Sequence, residues 1–302
     1  MSAASTWRQL RAAVTERLSL GGIDAAGAEA RWLCEEASGY ASAEWPEVEQ
    51  QRPSDRSVVL LDSMVTRRLA GEPLQYVIGS WSFRGLDLMV DRRVLIPRPE
   101  TEWVVEVALQ EAVRLGLRRG PNGAFDASEP RHFAADLGTG SGAIALALEA
   151  ELPEAEVWAT DVSEDALAVA RANLAGCVAR RVRTVQGSWF EALPTSLRGR
   201  LDLVVTNPPY VSEPEVAALP PVVADHEPRG ALVSGPTGLE ALNEIISTSV
   251  GWLTGESVLV CEIAPRLAPD VIALARSVGF AEALVREDLA GRDRVLVARW
   301  KS

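Results

Sequence analysis

Histidine, cysteine and long apolar runs are all scarce in this 302-residue chain, and each shortage closes off a class of function. Only His132 and His226 are present, too few for a metal-ligand cluster. The cysteines, Cys34, Cys177 and Cys261, are odd in number and far apart, which fits a reducing compartment and no disulfide frame. Each reads as a small core residue. No stretch is apolar for long enough to span a bilayer, and Met1 to Trp7 is not a basic segment leading into an apolar one. The expectation is a cytoplasmic protein with no membrane partner. Basic residues are also short: 30 Lys and Arg face 42 Asp and Glu, a formal net charge of −12. A duplex binder gains its affinity by neutralising phosphates, so no stable nucleic-acid partner is expected.

What is present is an ordinary globular composition, 47% hydrophobic and 24% charged, long enough for one large domain and one small. Residues 1–75 read as three short amphipathic helices. Trp7, Leu10, Val14 and Leu18 make the first stripe, closed by Gly21-Gly22. Asp24 can cap a second helix carrying Ala28, Trp32 and Leu33. Pro53 can start a third, with Val58, Leu61, Val65 and Leu69 on one face. Such a bundle suits substrate recognition or packing better than chemistry. Residues 76–100 then form a connector: a hairpin around Arg84-Gly85, followed by Ile96-Pro97-Arg98-Pro99-Glu100-Thr101-Glu102, which breaks regular structure before a helix through Val104, Val105 and Leu109. Residues 116–131, rich in glycine, proline and charge, read as a mobile surface loop.

Over residues 101–302 strands and helices alternate. Phe133–Leu137, Glu156–Thr160, Arg181–Gln186, Leu201–Thr206 and Ser257–Ile263 are the strands. The helices lie near Ala143–Glu151, Glu164–Leu174, Leu239–Leu253 and Leu267–Val278. This predicts a doubly wound, mostly parallel α/β sheet. Ala283–Arg286 and Arg294–Arg299, with Gly291 and no helix between them, should pair antiparallel at its edge and bring it to seven strands.

Two loops carry the chemistry. Asp136-Leu137-Gly138-Thr139-Gly140-Ser141-Gly142 follows the first strand and opens a helix, and Asp161 ends the next strand about twenty residues on, where an acid takes ribose hydroxyls. The Gly-x-Gly-x-Gly spacing and the missing P-loop lysine favour an adenosyl ligand without phosphates. A turn that only packs helix on strand is the plainer alternative. The second loop, Asn207-Pro208-Pro209-Tyr210, ends a β-branched strand. The prolines stiffen it, so that the Asn207 side-chain oxygen and the Pro208 carbonyl can be aimed at one point. Two convergent acceptors suit a planar NH₂ group, whether a carboxamide or an adenine amine. The plainer alternative here is a proline turn that merely ends a strand.

These two loops and Asp161 together resemble a class I S-adenosylmethionine-dependent methyltransferase. Arg67-Arg68-x-x-Gly71-Glu72-Pro73-Leu74-Gln75-Tyr76, Leu95-Ile96-Pro97-Arg98-Pro99-Glu100-Thr101-Glu102 and Glu227-Pro228-x-x-Ala231-Leu232 narrow the resemblance to the HemK/PrmC family, the glutamine N5-methyltransferases of peptide chain release factors. It runs from the third helix to the C-terminus and is weakest over residues 1–60. The resemblance implies a Rossmann-like methyltransferase sheet using S-adenosylmethionine. Gly138, Thr139, Gly140, Ser141 and Gly142 would line the methionine and ribose. Asp161 would bind the ribose hydroxyls, Trp189 would lie beside the adenine, and Asn207 would also be near the cofactor. Asn207, Pro208, Pro209 and Tyr210 would form the catalytic set holding the substrate glutamine. The residue before Trp189 is Ser188, where family members commonly carry an acid, so an adenine contact there would rest on a hydroxyl. A tryptophan that serves only the core is the plainer reading of Trp189.

The implied partner is a class I release factor, methylated at the glutamine of its Gly-Gly-Gln motif by a monomer whose helical bundle contacts a separate face of that substrate. An adenine-N6 methyltransferase on DNA or RNA uses the same Asn-Pro-Pro-Tyr chemistry on a flipped base. A protein-binding adaptor without activity is the remaining class. The acidic charge, the helical module and the connector favour the protein substrate.

Overall fold

Thr6 opens the first helix by a reciprocal cap: its hydroxyl accepts from the Gln9 N–H while the Gln9 side chain accepts from the Thr6 N–H. In the computed structural model residues 5–41, 43–117 and 132–302 are described. The loop read over residues 116–131 falls almost wholly outside them. Two compact units emerge. One comprises the chain through Ser80 together with Pro220–His226; the other comprises Trp81–Leu219 and Glu227–Ser302.

The first unit contains α1 (Trp7–Leu20), α2 (Ala26–Ser38), α3 (Trp45–Val48), α4 (Asp55–Leu69) and α5 (Leu74–Ile78). The α1 stripe is buried as the periodicity predicts. On α2 the buried face is Ala26, Ala30, Leu33, Cys34 and Ala37, whereas Ala28 and Trp32 are exposed. The small alanines face the neighbouring helices, where backbones must approach closely, and the predicted Asp24 cap is not made. On α4 Ser54 supplies the cap, and Met64 joins Leu61 and Val65 inside while Leu69 is exposed. Helices α3 and α5 are additions too short to show a period. The Arg67-Arg68 motif braces the unit. Arg67 donates to Glu72 and to the Tyr76 carbonyl, and Arg68 pairs with Glu29 of α2 at 2.7 Å.

The second unit opens with the predicted hairpin, β1 (Ser80–Phe83) and β2 (Leu86–Met89). Arg84 and Gly85 both take positive φ, the combination that matches strand twist in a two-residue turn. Next comes α6 (Pro99–Arg114). Pro99 therefore starts this helix rather than merely breaking structure: its fixed φ and missing N–H suit the first helical position. Then follow β3 (His132–Leu137), α7 (Ala143–Glu151), β4 (Ala155–Asp161), α8 (Glu164–Gly176), β5 (Val182–Gln186), β6 (Leu201–Thr206), α9 (Glu240–Ser249), β7 (Leu253–Glu262), α10 (Ala268–Ser277), β8 (Glu282–Glu287) and β9 (Asp293–Lys301). The predicted helix 239–253 stops at Ser249, because the chain turns at Gly251 and Trp252 so that Leu253 can pair with Leu201.

The seven strands lie in the order β5-β4-β3-β6-β7-β9-β8. Pairing is parallel from β5 through β7, and β9 runs antiparallel between β7 and β8. This is the predicted mostly parallel doubly wound sheet. The side chains of β3, β6 and β7 alternate between two apolar cores, Ala134, Leu203 and Val258 in one, Ala135, Val204 and Leu259 in the other.

Candidate active site

Strand order reverses between β3 and β6, which are adjacent in space, and the loops leaving their C-terminal ends border one crevice. Leu137 pairs with Thr206, and the Thr206 hydroxyl donates to the Leu137 carbonyl at 2.6 Å, so the two loops start from a common anchor. They open onto a cavity of about 470 Å³. Of the predicted residues, Gly138, Thr139, Gly140, Ser141, Asp161, Trp189, Asn207 and Pro209 line it, whereas Gly142, Pro208 and Tyr210 are not among its lining residues. Ser188, Thr101 and Pro97 also face the cavity, as does Pro228.

The glycine loop is held by its own acids. The Asp161 carboxylate accepts the Gly140 and Ser163 N–H groups, each at 2.9 Å. Burial raises its pKa, and those backbone N–H groups oppose the rise. Gly138 has φ +73°, and a Cβ there would stand 3.0 Å from the Trp189 ring. The loop must therefore be glycine for conformation and for clearance at once. Trp189 itself has φ +38°, a strained backbone for a bulky residue, at the edge of this cavity.

Asp136 is fully buried at the end of β3. Its Oδ2 accepts from the Thr139 hydroxyl at 2.6 Å and the Ala145 N–H at 3.0 Å, while Oδ1 has no donor among the described residues. Desolvation pushes its pKa up to about 7. A raised carboxylate pKa means that folding takes up a proton. Asp136 therefore favours the fold most below its unfolded pKa, and this contribution is lost as pH rises towards about 7. Asp136→Asn keeps the two acceptor contacts without the charge. Its unfolding free energy relative to the parent should climb from about pH 4 to about 7 and level off above that, by an amount on the order of a few kcal/mol. A difference that does not vary with pH would show that Asp136 is already ionised in the folded protein.

The second loop is clamped from below. Asn207 Nδ2 donates to Thr101 Oγ1 at 3.0 Å, the Thr101 hydroxyl donates to Glu262 Oε2 at 2.7 Å, and the Tyr210 hydroxyl donates to Glu262 Oε1 at 3.0 Å. Glu262 is 1% exposed. Arg266 holds the Tyr210 carbonyl at 2.9 Å and pairs with Glu215. Gly238 makes room for that carbonyl, since a Cβ there would come within 2.5 Å of it.

Glu227 was given no role by the sequence, yet it ties two motifs together. Its buried carboxylate accepts from the Ile96 N–H at 3.2 Å and from Arg98. That bond fastens Leu95–Pro97 along the cavity wall. Glu227 and Glu262 were missed because their partners lie 131 and 161 residues away, a relation no local pattern encodes.

Two family models match: the methyltransferase small domain over residues 124–220 and the PrmC N-terminal domain over residues 9–79. The release factor glutamine methyltransferase of Deinococcus radiodurans is 37% identical over 97% of this chain and 98% of its own. The chain belongs to the release factor glutamine methyltransferase family. The corresponding protein of Moorella thermoacetica is 38% identical over 97% of this chain and 98% of its own. A crystal structure of the hMettl16 catalytic domain in complex with the MAT2A 3'UTR hairpin 1 has a TM-score of 0.53 at 18% identity, covering 89% of this chain and 90% of that one. At that identity it shows the fold alone. The two family models cover the helical module and the strands β3 to β6, whose loops border the cavity.

Proposed function

We propose that this protein transfers a methyl group from S-adenosylmethionine to the side-chain amide nitrogen of the glutamine in the Gly-Gly-Gln motif of class I peptide chain release factors. The observation that carries this reading is the opening of the glycine loop, Asp161 and Asn207 onto one cavity. Family membership supports the choice of a protein glutamine as acceptor.

The cavity fits the methyl donor in chemistry as well as in size. It offers a carboxylate to ribose hydroxyls and a glycine backbone with no phosphate-binding lysine, and it has an aromatic wall at Trp189. Gly138 to Ser141 and Asp161 would hold the ribose and methionine portions, with Trp189 beside the adenine. When bound, S-adenosylmethionine supplies a sulfonium methyl that is open to nucleophilic attack.

The chain's own residues address the weak partner. An amide nitrogen has its lone pair delocalised into the carbonyl. The Asn207 side-chain oxygen and the Pro208 carbonyl accept its two N–H bonds, and Tyr210 flanks the amide plane. Pro209 keeps the loop rigid. Two acceptors at the nitrogen orient it and stabilise the positive charge that builds there as the N–C bond forms. The methylated nitrogen then releases a proton to water, and no side-chain base is required. The enzyme acts as a cytoplasmic monomer, and residues 1–75 meet a separate face of the release factor.

Mass spectrometry of a release factor after incubation with enzyme and methyl donor should find one added methyl on the Gly-Gly-Gln glutamine. Transfer of labelled methyl to RNA or DNA, with none to the release factor, would overturn the assignment.

A further inference from the structure

Asn207 serves the proposed reaction only if its oxygen, and not its nitrogen, faces the cavity. The two ends of a carboxamide have the same shape, so only their neighbours decide which way it points. Here the neighbours form a directed chain. Glu262 ends β7 one position beyond Cys261, the partner of Thr206, which sets it beside the start of the Asn207 loop. An ionised carboxylate can only accept, so both the Thr101 and the Tyr210 hydroxyl must donate to it. Thr101 has a single hydroxyl hydrogen. Once that is directed at Glu262, its oxygen can only accept from Asn207, and it takes the NH₂ end at 3.0 Å. The carbonyl end is left for the cavity. Burial pushes the Glu262 pKa up, and the Thr101 and Tyr210 hydroxyls, with Arg294, 8% exposed in the same interior, act against that rise.

We infer that Thr101 and Glu262 are positioning residues: the hydrogen-bond chain Glu262–Thr101–Asn207 fixes the Asn207 carboxamide with its oxygen towards the substrate. This rests on the proposed function for the identity of that substrate, whereas the orientation itself can be tested without it. Glutamine at position 262 can donate as well as accept. Thr101 would then be free to donate to Asn207, and the carboxamide would turn its NH₂ towards the substrate NH₂.

The test pairs kinetics with a spectroscopic signature. In Glu262→Gln and in the near-isosteric Thr101→Val, kcat for release-factor methylation should fall on the order of 10- to 100-fold. The calorimetric Kd for S-adenosylmethionine should stay within about threefold, because neither side chain is assigned to the cofactor. Thr101→Ser, which keeps the hydroxyl, should restore kcat to within about threefold of the parent. In the parent enzyme without substrate, NMR should show a nuclear Overhauser contact between the Asn207 side-chain NH₂ protons and the Thr101 methyl, and Glu262→Gln should lose it. Unchanged kcat in Thr101→Val, or no such contact in the parent, would overturn the inference. If the parent shows the contact yet does not methylate release factor, the orientation stands and the substrate assignment falls.

Discussion

Asn207→Ala should lower the turnover of release-factor methylation by a factor on the order of 10² or more while leaving the affinity for S-adenosylmethionine nearly unchanged. The alanine keeps the loop backbone, since the prolines and the Arg266 bond to the Tyr210 carbonyl remain. It removes one of the two acceptors that orient the amide, the one whose aim is set by a side chain. The loss falls on kcat because the bond strengthens as charge builds on nitrogen, and an interaction that strengthens in the transition state is lost from the rate. Steady-state kinetics with a release-factor substrate, beside a calorimetric titration of cofactor, measures both halves. Equal losses in turnover and cofactor affinity would move Asn207 from the substrate to the cofactor.

Asp161→Ala should weaken S-adenosylmethionine by about 100-fold or more, the second large effect. Its carboxylate accepts from Gly140 and Ser163 while standing in the cavity lining. Each oxygen has a further lone pair for a ribose hydroxyl, and hydrogen bonds to a charged acceptor contribute roughly 1.5–3 kcal/mol apiece. The substitution removes the ligand contacts and leaves the Gly140 N–H without its partner. Asp161→Asn keeps an acceptor oxygen and should lie between alanine and the parent. A Kd for the alanine variant within about threefold of the parent would exclude the ribose role. Turnover should recover at saturating cofactor far better than in Asn207→Ala, which separates the two loops by kinetics alone.

The recognition motifs differ in what they do once folded. Leu95–Glu102 and Glu227–Leu232, more than 120 residues apart in the chain, meet through Glu227, Arg98 and the Ile96 N–H. Their joint product is a stretch of cavity wall. The Arg67-Arg68 motif instead braces the helical unit internally through Glu72 and Glu29. A motif can therefore mark a family for reasons of architecture, and only its bonding partners separate that case from chemistry.

Local chemistry was enough to read the strands, the glycine turn, the hairpin at Arg84-Gly85 and the stiff Asn-Pro-Pro-Tyr loop. Periodicity, proline and glycine act over a few residues, and those features are few-residue features. The insertion of β9 between β7 and β8, the burial of Ala30 and Ala37 in place of Ala28 and Trp32, and the helical start at Pro99 depended on what each segment packs against. The same holds for the site. The sequence alone named the acceptors at Asn207 and Pro208, whereas the fold supplied Thr101 and Glu262, which decide the way the Asn207 carboxamide faces. The direction of a hydrogen bond is set by whatever lies at its far end, and here that end is a carboxylate on another strand.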